Sequence, residues 1–355
     1  MAAGEPDFAT PGPVCDAAVE ALRNGFTKYT ATPGIKELRE AIARKLKREN
    51  GVEAALDEIV VSCGAKHSLY NTAMVLLGPG DEALVFAPYW MTYVDQIELA
   101  GAKAVIVPTC PESGFVPRIE DLEAAVTPKT RAIFVNSPCN PTGGTFPRLL
   151  LEQIGRLAVE HDLWIVSDEI YEHLVYDGEH VSALSLPEEI RQRTVFISGC
   201  SKTYAMTGWR IGFAYAPKAV ATAMSSLQDQ VTSNANSIAQ HAAVAAFDLP
   251  HDEVAKMRDA FRGRRQLMVE RLNAIEGVQV ASPNGAFYVF PDVSQALGNE
   301  SDADFCQRLL ETAGVAAIPG SVFGGPGHIR LSYAASEIDI ERGVERIAEV
   351  LHRPR

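Results

Sequence analysis

The sequence predicts a protein of the α/β class: a mainly parallel sheet sandwiched by helices, followed by a smaller α+β unit at the C-terminal end. Up to Ala216, short apolar segments rich in β-branched residues alternate with helical segments, as in a sheet buried on both faces. Beyond Ala216, helical periods dominate before three further short strands. The length of 355 residues exceeds one ordinary core and suits two domains, or one large α/β domain with an appendage.

Each element is predicted from its apolar periodicity and its terminating residues. The first two helices, residues 14–24 and 35–50, are closed by Gly25 and Gly51. Strands are predicted at residues 59–63, 83–87, 104–107, 132–135, 163–167 and 194–198, with helices between them at residues 66–77, 90–100, 118–126 and 147–161. Helices at 218–231, 236–247 and 251–275 follow, then strands near 286–290, 315–318 and 328–332 and a last helix at 337–351.

The composition argues against several classes of protein and partner. The longest apolar runs are interrupted well before the ~18 residues of a membrane span, and MAAGEPDF does not resemble a signal peptide. A net charge of −13 without any basic tract argues against nucleic acids and anionic membranes as partners. The six cysteines form no CxxC pair, so we expect reduced thiols, no metal site and a cytoplasmic protein.

The most informative residue is Lys202, which follows the strand at 194–198 and the small residues Gly199, Cys200 and Ser201. Burial of a lysine in such a loop lowers its pKa and favours the neutral, nucleophilic amine. Eight residues later comes Arg210, whose guanidinium fork can hold a phosphate. A surface lysine after a strand is the alternative interpretation.

Polar and aromatic residues also follow the earlier strands, whose carboxyl ends gather ligands in sheets of this kind. Gly64, Ala65 and Lys66 open a helix, which suits either a phosphate at the helix N-terminus or a plain tight turn. Trp90 can stack on a flat cofactor ring or pack in the core. Asn140 lies in the segment SPCNPTGG, whose prolines, glycines and asparagines are common in ordinary turns. The exact string is nevertheless more specific than a turn requires.

Two further charged residues are placed where burial demands a partner. Asp168 ends the strand at 163–167, and a protonated pyridine nitrogen would supply the cation that a buried carboxylate needs. Tyr171 follows three residues later, so one helical turn brings its hydroxyl to the same side. Arg330 lies in an apolar strand, and its fork suits a substrate carboxylate or a structural salt bridge.

Taken together, these strings resemble the class I, fold-type I aminotransferases that depend on pyridoxal 5′-phosphate. The chain looks most like the branch with bacterial aspartate and prephenate aminotransferases, and the matching strings span nearly all of it: AGEPDF, KYTATPG, PYW, SPCNPTGG, SDEIYEHL, SKTYAMTGWRIG, GAFYVF and IRLSY. The resemblance implies the fold-type I architecture with a seven-stranded type of sheet. It also implies transfer of an amino group between an amino acid and a 2-oxo acid, with aspartate and 2-oxoglutarate as the leading pair.

The resemblance assigns roles to individual residues. Lys202 is expected to form a Schiff base with the cofactor and then to act as general base and acid, with Asp168 and Tyr171 as its catalytic partners. The expected cofactor contacts are Gly64, Ala65, Lys66, Trp90, Asn140, Asp168, Tyr171, Ser201, Lys202 and Arg210, with Tyr29 reaching in from the neighbouring subunit of a homodimer. The expected substrate contacts are Gly4, Trp90, Asn140 and Arg330.

The change of pattern after Ala216 places a domain boundary within the long helix near residue 255, and the resemblance adds a short N-terminal piece. Residues 13–255 are expected to form the large cofactor-binding domain and residues 256–355 the small C-terminal domain. Residues 1–12 are expected to be a remnant of an N-terminal small-domain segment, since the family usually has a longer stretch before AGEPDF. A short N-terminus predicts incomplete closure over the substrate and weak turnover.

Other functions remain open on the sequence alone. The same fold and cofactor also serve oxidases, decarboxylases and lyases. A non-catalytic cofactor-binding module of a transcription regulator would need a basic DNA-binding domain, which this chain lacks. A dicarboxylate substrate requires a second cation, and the helix that follows Lys66 offers only His67, which is expected to lie on the helix surface.

Overall fold

The structure is a computed structural model and describes residues 1–352. Its strands are β1 (Ile59–Ser62), β2 (Glu82–Ala87), β3 (Lys103–Pro108), β4 (Thr130–Asn136), β5 (Trp164–Asp168), β6 (Thr194–Gly199), β7 (Gly212–Tyr215), β8 (Tyr288–Val289), β9 (Ile318–Pro319) and β10 (Ile329–Ser332). Its helices are α1 (Gly12–Arg23), α2 (Lys36–Lys45), α3 (Ala65–Leu76), α4 (Thr92–Leu99), α5 (Ile119–Ala125), α6 (Arg148–Glu160), α7 (Glu188–Arg191), α8 (Cys200–Thr203), α9 (Lys218–Val231), α10 (Ser237–Phe247), α11 (His251–Asn273), α12 (Ser294–Leu297), α13 (Asp302–Ala313) and α14 (Glu337–His352).

The large sheet has seven strands in the order β1-β7-β6-β5-β4-β2-β3. Strands β3, β2, β4, β5 and β6 pair in parallel, whereas β7 runs antiparallel to both of its neighbours, β6 and β1. Because β1 is antiparallel to β7, it points in the same direction as β6. The carboxyl ends of six strands and the start of β7 therefore meet at one edge of the sheet.

Helices cover both faces of this sheet because successive side chains of each strand point to opposite sides. On β4, Ala132 and Phe134 pack in a core with residues of α3, α4 and α9. The alternate residues Ile133 and Val135 pack in a second core with residues of α5 and α6. Toward the β1 edge, α1, α2 and α10 close the second face over Phe196 and Phe213. Burial on both faces is what the near-continuous apolar strands predict.

A smaller unit follows, built on the antiparallel sheet β8-β10-β9. Helices α11, α13 and α14 pack against it around a core that includes Phe261, Phe287 and Leu309. The N-terminal segment joins this unit: the side chain of Met1 packs against its core, and the backbone N–H of Ser332 donates a 2.7 Å hydrogen bond to the carbonyl of Met1.

The predicted fold class is confirmed, including the mainly parallel seven-stranded sheet and the smaller α+β unit, whose sheet is antiparallel. Several local features differ from the expectation, among them the short helices α7, α8 and α12, which were not predicted. Strand β7 was not predicted, because four residues beginning with glycine give no long apolar run. The strand expected at 315–318 lies at Ile318–Pro319, and the helix expected at 35–50 ends in a π-helical turn, Leu46–Asn50. The boundary near residue 255 lies within α11 and stays a prediction.

Within residues 1–352, none of the helices combines the length and the apolar character required to cross a membrane.

Candidate functional site

A cavity of about 550 Å³ opens at the carboxyl edge of the large sheet, between that edge and the smaller unit. Strands β4 and β5 end at its wall with Asn136 and Asp168, and α8 follows β6 there. Its lining residues are Ala3, Gly4, Glu5, Ala65, Lys66, Leu69, Trp90, Met91, Thr92, Tyr93, Asn136, Asn140, Asp168, Ile170, Tyr171, Ser201, Lys202, Thr207, Arg210, Tyr288 and Arg330. The polar residues expected after separate strands are thus brought together in one place.

Lys202 lies in this cavity, and its Nζ donates a hydrogen bond to the carbonyl oxygen of Gly4. Burial lowers the pKa of Lys202 to about 8; Glu5 acts against this shift, and the positive charges of Arg210 and Arg330 reinforce it. With a pKa of about 8, roughly a tenth of the amine is neutral at pH 7. The side chain is therefore prepared to act as a nucleophile or a base near neutral pH.

The loop before Lys202 depends on Gly199 for its close approach to β7. A Cβ atom at Gly199 would lie 2.8 Å from the Cα of Gly212 and 2.9 Å from the carbonyl oxygen of Ile211. Because no side chain fits between these backbones, a glycine here lets the lysine-bearing turn pack directly on the start of β7.

Asp168 is a buried carboxylate, 3% exposed, at the floor of the cavity. Its Oδ2 accepts a 2.7 Å hydrogen bond from the Tyr93 hydroxyl, and its Oδ1 accepts one of 3.2 Å from the backbone N–H of Ile170. Burial raises the pKa of Asp168 to about 6, against the lowering effect of the Tyr93 hydrogen bond. No described residue forms an ion pair with Asp168, so its charge calls for a cationic partner from outside the chain.

The opposite wall of the cavity suits an anion. Helix α3 begins at Ala65 after Gly64, which provides no side-chain cap, so the first N–H groups of the helix face the site. Gly64 has a φ of +88°, and a Cβ atom there would lie 2.6 Å from Nη2 of Arg210. Glycine is thus required at this position twice, for its backbone conformation and for the space that the guanidinium occupies.

Arg210 is held at the anion-binding wall by backbone carbonyls. Its Nη1 donates a 2.9 Å hydrogen bond to Thr207 and its Nη2 a 3.4 Å one to Cys63. Nearby, the ammonium group of Lys66 lies 4.8 Å from the centre of the Trp90 ring, a cation–π contact. Neither cation has a carboxylate partner in the described chain, so both remain available to a ligand.

Arg330 lies on β10 and is 7% exposed. Its Nη1 donates a 3.0 Å hydrogen bond to the side-chain oxygen of Asn140, and its Nη2 donates one of 2.9 Å to the carbonyl of Ala2. The guanidinium lies 4.5 Å from the ring centre of Tyr288, and its Nε has no partner. The alternative of a structural salt bridge finds no support, because none of the described carboxylates pairs with Arg330.

Hydrogen bonds fix the remaining polar residues of the site. The Tyr171 hydroxyl lies 2.9 Å from that of Tyr288. The Asn136 side chain donates a 3.0 Å hydrogen bond to the carbonyl of Asp168 and accepts one of 2.8 Å from the backbone N–H of Asn140. Contrary to the expected turn of helix, Tyr171 lies in a hydrogen-bonded turn, which nevertheless directs it into the cavity.

Most of the predicted site residues line the cavity, and two do not. Gly64 lies just behind the wall. Tyr29 is 90% exposed and lies outside the cavity of its own chain. The expectation of a surface position for His67 is wrong: its half-buried ring accepts a 3.3 Å hydrogen bond from the backbone N–H of Cys63 and stacks on Tyr70. His67 does not line the cavity, so it does not supply a second cation there.

Several lining residues were not predicted. Tyr93 follows Trp90 by three residues, so the spacing alone could have placed its hydroxyl near the same site. Asn136 is the last residue of β4, the position at which the other candidates were found. Tyr288 lies in the string GAFYVF, but that string carried no signal that a phenol there faces Tyr171.

The sequence matches the model of the family described as aminotransferase class I and II over residues 1–347. This chain belongs to that family. The class I and II aminotransferases use pyridoxal 5′-phosphate, so the predicted enzyme class and cofactor are confirmed, as is the predicted family. The alternative chemistries of the fold, oxidase, decarboxylase or lyase, are not favoured.

Known aminotransferases resemble this chain over almost its whole length. The aspartate/prephenate aminotransferase of Thermus thermophilus is 47% identical over 356 residues, covering 99% of this chain and 91% of that protein. The structure of an aspartate aminotransferase from T. thermophilus with maleate has a TM-score of 0.94 at 46% identity, covering 98% of this chain and 90% of that chain. The structure of an aspartate aminotransferase from Rhizobium meliloti has a TM-score of 0.96 at 43% identity, covering 99% of this chain and 91% of that chain.

The residues of this aminotransferase site fit pyridoxal 5′-phosphate. A pyridine ring N–H would satisfy the buried carboxylate of Asp168, which has no cation of its own. The N-terminus of α3 and the Arg210 guanidinium would suit the phosphate group. The amine of Lys202, whose pKa is lowered to about 8, suits attachment to the aldehyde.

Proposed function

We propose that this aminotransferase moves an amino group between aspartate and a 2-oxo acid, with 2-oxoglutarate as the second substrate. The observation that carries the proposal is the charge of the cavity: Lys66, Lys202, Arg210 and Arg330 all line it, and none pairs with a described carboxylate. A chain of net charge −13 thus keeps a local set of unpaired cations for anionic ligands. The similar proteins named aspartate aminotransferases, one of them with the dicarboxylate maleate, support the same substrate class.

We assign the α-carboxylate of the substrate to Arg330. This guanidinium is nearly buried, its Nε lacks a partner, and Asn140 and Tyr288 hold it in place. A planar fork in such a position matches a carboxylate through two parallel hydrogen bonds. The proposal places Gly4 beside this group, because the N-terminal segment binds to Arg330 through the carbonyl of Ala2.

The second carboxylate of aspartate requires a further cation. If Arg210 holds the phosphate and Lys202 takes part in the reaction, Lys66 is the cation that remains in the cavity. Its ammonium group rests on the face of Trp90, where it has no carboxylate partner. We therefore propose that Lys66, which was expected at the phosphate, also contributes to dicarboxylate recognition.

The reaction that we propose relies on proton movement at Lys202. Bound pyridoxal phosphate supplies an aldehyde for the amino group and a ring that stabilises negative charge at the substrate α-carbon. The Nζ atom of Lys202, once free, removes the proton from that carbon and later returns one. Asp168 would hold the ring nitrogen of the cofactor in its protonated form, and Asn140 and Tyr171 would bind its ring oxygen.

Two further proposals concern assembly and location. We propose a homodimer in which Tyr29 completes the phosphate site of the partner, since on its own chain this residue is 90% exposed and outside the cavity. We also assign the protein to the cytoplasm, because all six cysteines are free, which is typical of reducing compartments.

The proposed function is tested by two measurements on the purified holoenzyme. Borohydride reduction followed by peptide mapping should place the pyridoxyl group on Lys202, whereas a label on another lysine contradicts the assignment. Single-turnover spectra with a panel of amino acids should show the fastest conversion with aspartate and glutamate. Faster conversion of neutral amino acids would show that the cavity cations do not select a dicarboxylate.

A further inference from the structure

A buried ionic network lies outside the residues that line the cavity, next to the turn that carries Lys202. Its centre is Lys45 at the end of α2, whose side chain is 1% exposed. The Lys45 Nζ donates hydrogen bonds of 2.5 Å to Glu172 Oε2 and 2.8 Å to Asn50 Oδ1, and it lies 3.5 Å from Glu49 Oε2. The proposed function gives this network no role.

Two arms connect the network to the lysine-bearing turn. In the first, the hydroxyl of Ser198, four residues before Lys202, donates a 2.8 Å hydrogen bond to Glu172 Oε1. In the second, His173 Nδ1 lies 3.1 Å from the hydroxyl of Thr203, the residue directly after Lys202. The other ring nitrogen of His173 lies 2.9 Å from a carboxylate oxygen of the network, that of Glu49. The turn is thus held on both sides of the lysine.

An unusual stretch of helix places the network side chains together. Helix α2 continues into a π-helical turn, Leu46–Asn50, before Gly51 ends it in a left-handed conformation. From this turn Asn50 donates a 3.4 Å hydrogen bond to Glu172, which also binds Lys45, while Glu49 contacts both Lys45 and His173. Such turns are rare and are frequently found at functional sites.

The network is better explained by its fixing the positions of side chains than by a contribution to the stability of the fold. Burying charged groups costs several kcal/mol per ion before pairing, and apolar residues of similar volume often stabilise a protein at least as well. Burial alone would raise the pKa of Glu49, but the hydrogen bond to His173 and the charge of Lys45 lower it to about 2. Lys45 likewise lowers the pKa of Glu172 against burial, so both groups are ionised at neutral pH. What such a network supplies is a fixed geometry.

The same short segment serves both the cavity and the network. Asp168 and Tyr171 point into the cavity, while Glu172 and His173 bind the network. We propose that Glu172 and His173 are positioning residues that fix the amine of Lys202 relative to Asp168 and Tyr171. This inference rests on the proposed function, in which Lys202 carries the cofactor. Reactive groups must be held to within fractions of an ångström, which explains why a costly network is kept beside this lysine.

The test compares two threonine-to-valine substitutions, one at the start of β6 and one at the end of α8, which follows that strand. Thr203→Val removes the hydroxyl that meets His173, whereas Thr194→Val, at the other end of β6, removes an equally buried hydroxyl bonded to the Ile190 carbonyl at 2.9 Å. Thr203→Ser restores the hydroxyl. Glu172→Gln tests the first arm while keeping the shape of the side chain.

Four quantities are measured on each holoenzyme: the melting temperature, the rate of the half-reaction, its KM, and the midpoint of the visible pH titration of the lysine-bound cofactor. Thr203→Val and Glu172→Gln should each lower the half-reaction rate ~10-fold, with KM within about twofold, and should move the titration midpoint by ~0.5 pH unit. Thr194→Val should change the melting temperature alone, and Thr203→Ser should behave like the wild type. The charged groups that face Lys202, namely Glu5, Asp168, Arg210 and Arg330, are unchanged in all four variants.

The outcomes separate this inference from the proposed function. Borohydride mapping of the same samples must first place the cofactor on Lys202, and a label elsewhere overturns both proposals. With the label on Lys202, equal rates and midpoints for Thr203→Val and Thr194→Val overturn the positioning role and leave the proposed function standing.

Discussion

At the scale of single residues, Asp168 shows how a side chain adapted to a ligand destabilises the fold when that ligand is absent. The carboxylate is almost fully buried, has two hydrogen bonds and has no described cation beside it. Its raised pKa means that the folded chain holds the proton more tightly than the unfolded chain does. Ionising this group therefore weakens the folded, cofactor-free protein.

The first prediction follows from the sign of this shift. Because the pKa of Asp168 rises from 3.8 to about 6 on folding, its contribution to stability is fully present below pH 3.8 and is lost as the pH rises through 6. About two pKa units correspond to ~3 kcal/mol. Cofactor-free Asp168→Asn should thus gain up to that much relative to the wild type between pH 4 and pH 7.5, in urea unfolding. A difference between the two proteins that does not change with pH would contradict the raised pKa.

The second prediction concerns Lys66. Lys66→Gln should lower kcat/KM for aspartate ~10–100-fold and leave that for alanine nearly unchanged, because alanine lacks the second carboxylate. Lys103→Gln, which removes an exposed lysine of β3, is the matched control and should alter neither value. An equal loss for both amino acids, together with weaker cofactor binding, would instead assign Lys66 to the phosphate alone.

Much of the site could be predicted at this scale, and what was missed has a common cause. All four of Lys202, Asp168, Arg330 and Asn140 line the cavity: the first three were expected because a buried charge needs a partner, and Asn140 because SPCNPTGG is a specific string. The spacing of Tyr93 from Trp90 could have placed its hydroxyl near the site, but not its hydrogen bond to Asp168, which is seventy-five positions away. Such a contact between distant strands and helices has no local signal.

At the scale of elements, the direction of β7 decides how the site is built. A parallel strand would have delivered its carboxyl end to this edge, but antiparallel β7 delivers its beginning. Arg210, two residues before β7, therefore reaches the wall where α3 starts. The sequence could not predict this because a four-residue strand has no period long enough to reveal it, and its direction depends on pairing with β6 and with β1, which is distant in sequence.

The third prediction tests this junction of α3 and β7. Gly64→Ala should destabilise the fold by ~1–2 kcal/mol because φ is +88° there, and should weaken pyridoxal phosphate binding ~10–100-fold because the new methyl group displaces Arg210. Gly25→Ala is the control, since Gly25 has a φ of +72° and open space around it. Both variants should lose thermal stability. If titration with the cofactor shows equal affinity for the two, the contact with Arg210 is irrelevant to binding.

At the scale of the whole molecule, the exposure of Tyr29 makes a prediction about assembly. Lys202→Ala and Tyr29→Ala should each be nearly inactive as purified homodimers. In a dimer with one chain of each kind, one site combines an intact Lys202 with an intact Tyr29 from the partner. Random pairing of co-expressed chains should therefore restore about a quarter of the wild-type activity. Activity no higher than the average of the two variants would show that each chain completes its own site.

The N-terminal segment described above has a mechanical consequence. The carbonyl of Met1 is hydrogen-bonded to Ser332 and that of Ala2 to Arg330, so the N-terminal segment is attached to β10 of the smaller unit. Lys202 follows β6 of the large sheet, and its amine donates a hydrogen bond to the carbonyl of Gly4. This hydrogen bond links the large sheet to the N-terminal segment across the cavity. A reaction that forms a new bond to this amine would disrupt this hydrogen bond. If Lys202 carries the cofactor as proposed, loading the cofactor would therefore also decide whether this hydrogen bond links the two sides of the cavity.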